Sequence, residues 1–123
     1  MTGKPYITII PIGGAAQIGS NMTVIQNEET TIVIDCGILF PREHFFNIDY
    51  LVPDFSKLKF PINNLIITHG HEDHIGAIPM LIKYFPNIII WSPAFASELI
   101  SNKLNFIKKT CTIHTYKKYD QIV

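Results

Sequence analysis

The chain has 123 residues, 47% of them hydrophobic and 16% charged, with ten basic against ten acidic side chains and a formal net charge of zero. That length bounds the protein at one modest hydrophobic core, and the balanced charge gives no compositional support for a polyanionic partner. No apolar run reaches the roughly 18 residues that span a bilayer, so no membrane association is expected.

Tyr6 to Ile12 reads as a first strand, because Pro11 interrupts the apolar run that a signal peptide would need. Gly13 to Ser20 follows as a small-residue loop. No lysine follows Gly19, so the loop is not a phosphate-binding P-loop, and tight backbone turning is the better account. Asn21 to Gln26 and Thr30 to Asp35 read as two strands joined by a turn at Asn27-Glu28-Glu29. Asp35 ends the second of these. A carboxylate at the mouth of an apolar strand is costly unless it is paired, hydrogen-bonded or near a metal; a turn-capping role is the alternative. Ile38 to Lys59, broken by Pro41 and Pro53, reads as a long loop of the kind that walls a site. His44, Asp49 and Asp54 lie in it, His44 as a possible ligand contact and the two acids as turn or supporting groups.

Leu65-Ile66-Ile67 has the β-branched content of a buried strand and runs straight into Thr68-His69-Gly70-His71-Glu72-Asp73-His74. A helical pattern resumes through Ile75, Ile78, Leu81, Ile82 and Phe85. A strand therefore delivers the polar cluster and a helix leaves it. His69 and His71, two apart, share a side of extended backbone; His71 and His74, three apart, share a face of a first helical turn. Gly70 is expected to let the backbone bend between them. Three imidazoles and the Asp73 carboxylate are donors suited to a borderline divalent ion such as zinc. Four donors exceed what one catalytic ion needs from protein and hint at two ions. A solvated, histidine-rich loop is the competing reading. The spacing is not that of the H-E-x-x-H zinc helix.

Asn87 to Trp91 reads as a further strand, followed by a helix from about Ala94 to Lys109 with Ser92 as its cap and Pro93 in its first turn. Thr110 to Tyr116 is a last complete strand, on which His114 has a structural role, and the tail from Lys117 reads as a strand cut short. Cys36 and Cys111 form no C-x-x-C pair and read as reduced thiols of a cytoplasmic protein; a disulfide or a ligand role for one of them is the alternative. The order predicts an α/β fold with a mixed sheet and helices packed on it.

Residues 68 to 77, THGHEDHIGA, resemble the H-x-H-x-D-H signature of the metallo-β-lactamase superfamily, and in their full wording the ribonuclease J group of the β-CASP nucleases. Gly13-Gly14 through Gly19-x-Asn21-Met22, Ile34-Asp35-x-Gly37 with Phe40-Pro41, and Ile48-Asp49 with Val52-Pro53-Asp54 are similar to that group's other early motifs, in the same order, from about Ile7 to Tyr119. The resemblance implies the N-terminal part of an αββα sandwich over residues 1–123, with the third-histidine motif, the β-CASP domain and the C-terminal motif outside it. It implies that His69 and His71 bind one zinc ion, that Asp73 and His74 bind a second, and that Asp35 supports the loop behind them. Asp73 and His74 are thereby the catalytic candidates. The implied reaction is hydrolysis of RNA, 5′-to-3′ exonucleolytic, endonucleolytic or both, by an oligomer or as part of an RNA-decay complex. Gln17 stands where the group usually has Glu. Two further readings are compatible with the cluster: a small-molecule hydrolase of glyoxalase or lactonase type, and a truncated, non-catalytic scaffold.

Overall fold

A computed structural model describes residues 4–42 and 47–122, so the expectation for His44 lies outside the described residues. Six strands form one sheet in the order of the chain: β1 (Thr8–Gly13), β2 (Met22–Gln26), β3 (Thr31–Ile34), β4 (Asn64–Ile66), β5 (Ile89–Ser92) and β6 (Thr112–Thr115). The first three are antiparallel neighbours; β3 to β6 run parallel. Antiparallel strands need only a tight turn, which Asn27 supplies by accepting the Glu29 and Thr30 amide protons on its Oδ1. The parallel strands need crossovers. These carry a short 3-10 turn (Phe55–Lys57), the helices α1 (Glu72–Ile75) and α2 (Ile78–Tyr84), and the helix α3 (Ala94–Phe106).

The alternation read from the strands fixes which face is covered. Val24, Val33, Leu65 and Ile90 stand in register across the sheet and are fully buried. They form one core with Ile75, Ile78 and Leu81 of the first two helices and Ala96, Ile100 and Leu104 of α3. The next row, Ile25, Ile32, Asn64 and Ile89, lies on the opposite face and is only half-buried. The mixed α/β sheet predicted from element order is the one observed, with its helices packed against the buried face. Among the described residues no helix is long and apolar enough to cross a membrane.

Several boundaries differ from the sequence reading, each for a local reason. The helix predicted to run from Ile75 is two helices. Pro79 has no N–H to offer the Ile75 carbonyl, and the Ala77 amide turns to the Cys36 carbonyl at 3.0 Å. Ser92 does not cap α3. It is the last residue of β5, fully buried, with its hydroxyl 2.5 Å from that of Ser97, and Pro93 occupies the cap position without a side-chain bond. The same helix stops at Phe106 because Lys108 takes a left-handed φ of 56° and Lys109 closes back on the Leu104 carbonyl at 2.9 Å; no glycine marks this stop in the sequence. The tail is a turn, closed by the Asp120 carboxylate on the Lys117 amide at 2.8 Å, and not a strand. Asp54 has a turn role: it starts the 3-10 turn by accepting from the Ser56 amide and hydroxyl, and the hydroxyl bond, foremost, holds its carboxyl below the usual range. Both cysteines are free thiols.

Candidate metal centre

The parallel strands β3 and β4 end side by side, and everything of chemical interest hangs from their C-terminal ends. Asp35 directly follows β3. Its amide donates to the Ile66 carbonyl at 2.9 Å and its φ is +61°, a left-handed conformation that costs a non-glycine residue about 1 kcal/mol and that Asp tolerates better than most. The turn drives its carboxylate under the end of β4, where it is 5% exposed. Three donors meet it there: the Thr68 amide at 2.8 Å, the Thr68 hydroxyl at 2.8 Å and His74 Nδ1 at 2.7 Å. A buried carboxylate with all its near neighbours donating is a satisfied charge.

That network assigns the histidine tautomers. Asp35 accepts only, so His74 must carry a proton on Nδ1, and in the neutral ring the lone pair is then on Nε2, 3.4 Å from Asn21 Nδ2. Thr68 spends its hydroxyl proton on Asp35 and so accepts from His69 Nδ1, 3.1 Å away, which leaves the lone pair of His69 on Nε2 as well. A fixed Nδ1 partner of this kind is what orients a metal-ligating imidazole. The chemistry of the donor set fits a divalent ion: two imidazoles with their lone pairs on Nε2, a third imidazole and a carboxylate.

The rings of His69 and His74 lie 3.9 Å apart between centroids, and those of His69 and His71 lie 4.7 Å apart. His69 is therefore the middle of the group. Asp73 and His74 sit in the first turn of α1, with Asp73 Oδ2 3.5 Å from His74 Nε2. His69 and His71 are exposed, while Asp73 and His74 are half-buried. The imidazoles pack on one another rather than pointing at one centre. Among the described residues no three His, Cys, Asp or Glu side chains converge to hold an ion. A cleft of about 480 Å³ opens beside them, lined by Ile18, Leu39, Phe40, Arg42, His71 and Asp73. The long loop read as a site wall supplies three of those residues, and exposed Gln17 lies next to Ile18.

Gly70 does not provide the expected bend. Its φ is not positive, and a Cβ there would meet the Leu99 Cδ1 atom of α3 at 2.8 Å, so it provides close approach to that helix. Cys36 is fully buried, and desolvation, reinforced by the Asp35 carboxylate, pushes its thiol far above the ordinary range. His114 stays on β6, stacked near Trp91 at 4.6 Å between centroids.

Thr68, Asn21 and Tyr116 serve the site without having been assigned a role there. Thr68 could have been suspected from its place beside His69. Tyr116 donates its hydroxyl to the Ile67 carbonyl at 2.5 Å, tying the end of β6 to the chain entering the cluster; burial, then the Asp35 charge, raises its pKa and keeps that donor protonated. Nothing local in the sequence signals Tyr116, and Asn21 stood out only as part of the Gly19-x-Asn21-Met22 motif.

Asp35→Asn tests the tautomer argument. The amide has the carboxylate's shape, but its NH₂ would face donors, and relief requires His74 to move its proton to Nε2. We expect zinc affinity to fall about 10- to 100-fold with the fold kept, measured by competition with a chromogenic chelator. Unchanged affinity would show that Nε2 of His74 takes no part.

The metallo-beta-lactamase superfamily profile matches residues 16–109. The chain is 49% identical over 124 aligned residues to a Ribonuclease J of Helicobacter pylori, covering 97% of this chain and 16% of that protein. To a Ribonuclease J of Mycoplasma pneumoniae it is 40% identical over 106 residues, covering 84% of this chain and 19% of that protein. The chain thus spans less than a fifth of the length of these relatives. Among solved structures, the archaeal metallo-beta-lactamase superfamily protein ST1585 from Sulfolobus tokodaii matches with a TM-score of 0.58 at 19% identity, over 95% of this chain and 50% of that one. With the fold, the ordered motifs and the matched profile in agreement, the chain belongs to the metallo-beta-lactamase superfamily.

Proposed function

We propose that this chain contributes part of the active site of a zinc-dependent ribonuclease that hydrolyses RNA phosphodiesters. The observation that carries the metal chemistry is the Asp35–Thr68 network, which holds the Nδ1 atoms of His69 and His74 and leaves their Nε2 atoms as acceptors, that of His74 3.5 Å from Asp73 Oδ2. The superfamily is metal-dependent, usually through zinc. The substrate class is supported by the identity to proteins named Ribonuclease J.

In this reading His69, His71, Asp73 and His74 hold the metal. When bound, zinc supplies a Lewis acid that polarises the scissile phosphodiester and stabilises charge on the attacking and leaving oxygens. The remaining work falls to side chains. Asp73, half-buried at the cleft, orients the attacking water and accepts its proton. His74 is held in place by Asp35. Arg42 is a cation lining the same cleft, where it would attract a phosphate. The sequence 1–123 is proposed as the N-terminal part of the superfamily domain, with further ligands supplied from outside it.

Metal content and RNA cleavage of the purified protein and its His71→Ala variant test this. About two zinc ions per complete site are expected, fewer in the variant, with cleavage of single-stranded RNA lost alongside. Equal metal content in both proteins would remove His71 from the site. Cleavage of a thioester or lactone with none of RNA would move the protein to another branch of the superfamily.

A further inference from the structure

The loop from Gly13 to Ser20 has no role in the chemistry above, yet it delivers Asn21 into the cluster. Asn21 precedes β2 and is half-buried. Its backbone is fixed on both sides: the amide donates to the Asp73 carbonyl at 3.0 Å, and the carbonyl accepts from the Gly37 amide at 3.0 Å. With the main chains locked together, the side chain has a short list of partners. Its Nδ2 donates to the Asp73 carbonyl at 3.1 Å and to Asp73 Oδ2 at 3.3 Å, and it lies 3.4 Å from His74 Nε2.

An amide nitrogen has two protons, and three acceptors surround this one. The carbonyl of Asp73 takes the first. Asp73 Oδ2 and the Nε2 lone pair of His74 compete for the second. The carboxamide is also held from behind. Gly14 has a φ of +81°, and a Cβ on it would lie 2.4 Å from Asn21 Oδ1 and 3.1 Å from its Cγ. The glycine removes the one atom that would displace the carboxamide.

We propose that Asn21 is a positioning residue that orients the Asp73 carboxylate, seated by the Gly14 turn, and that its amide couples Asp73 to the state of His74. Were the His74 lone pair to hold an ion, the second amide proton would be left to Asp73 Oδ2, which the Asn21 amide would then fix. The inference rests on the metal reading above but assigns a residue that reading does not use.

The test is zinc affinity, by chelator competition, together with the visible spectrum of the cobalt-substituted protein, using the full-length gene product. Wild type is compared with Asn21→Ala, Asn21→Asp and Ile88→Val. Ile88 is buried beside the start of β5, at the end of the sheet away from the cluster, and controls for general loss of stability. Asn21→Ala is expected to bind zinc about 10- to 100-fold more weakly with an altered cobalt spectrum. Asn21→Asp keeps the shape but turns a donor into an acceptor facing the Asp73 carbonyl and carboxylate, and is expected to lose at least as much. Ile88→Val is expected to match wild type. Wild-type affinity in both Asn21 variants overturns the clamp alone, as does an equal loss in Ile88→Val. Absence of zinc from wild type overturns the metal reading and the clamp with it. Should Asn21→Ala not fold, the isosteric Asn21→Asp decides in the same terms.

Discussion

On the function proposed above, Asp73→Ala in the complete protein is expected to lower hydrolysis of single-stranded RNA by about 10³-fold or more, the range for losing a proton acceptor and a charge-stabilising group together. The fold should survive. Asp73 is tied into the protein through its main chain: its carbonyl accepts the Asn21 amide at 3.0 Å and the Asn21 side chain at 3.1 Å. Any side chain at this position keeps that carbonyl. Beyond Cβ, only the contacts of Oδ2 with Asn21 and His74, at 3.3 and 3.5 Å, are lost. Removing a partly exposed carboxylate held by such contacts costs on the order of 1 kcal/mol of stability. Activity and stability should therefore separate, which steady-state kinetics at saturating zinc and a urea titration would show. Asp73→Asn refines the result. It preserves size and polarity but accepts no proton, so it should lose activity nearly as far as alanine. Activity near wild type in the asparagine variant would reassign Asp73 to orientation alone. Activity near wild type in the alanine variant would remove it from the site.

The parts of this protein that were legible in the sequence are those governed by short-range pattern. The β-branched runs around Val24, Val33, Leu65 and Ile90 announce buried strands because alternate positions must face one core, and these four residues do form its central row. The histidine cluster is legible because its residues are adjacent in the chain. Asp35 was legible for a different reason, as a charge placed where a charge is expensive. What escaped was pairing across distance. Asn21 and Asp73 are 52 positions apart, and Tyr116 and Ile67 are 49 apart. Asn21 was noted only inside the Gly19-x-Asn21-Met22 motif, which names no partner for it, and Tyr116 carries no local mark of such a role. The left-handed φ of Lys108 was equally hidden, since nothing in its side chain requires that conformation. Glycine misled in the other direction. Gly70 drew attention by standing among histidines, while Gly37, noted only as part of the Ile34-Asp35-x-Gly37 motif, bears the tighter constraint.

Gly37→Ala is expected to destabilise the protein by roughly 3–5 kcal/mol, above the usual overpacking range of about 1–3 kcal/mol because backbone hydrogen bonds fail with it. A Cβ on Gly37 would stand 1.6 Å from the Asp73 carbonyl oxygen, 2.1 Å from its carbon and 2.7 Å from the His74 nitrogen. All three are main-chain atoms, so no rotamer change relieves the overlap. The two segments must part, and they are joined by a dense set of bonds: Cys36 N donates to the His74 carbonyl at 2.7 Å, Ile38 N to the Glu72 carbonyl at 3.1 Å, and Ala77 N to the Cys36 carbonyl at 3.0 Å, while Gly37 N donates to the Asn21 carbonyl at 3.0 Å. Gly70→Ala is the informative contrast. Its Cβ meets the far end of the Leu99 side chain, which can turn away, so the expected cost is below about 1 kcal/mol. Urea titration of both variants gives the comparison. Equal stability of the two would mean that the segments carrying Asp35 and Asp73 slide freely past one another. In that case the distances that define the candidate centre would not be held by the fold, and its geometry would have to be set by the metal.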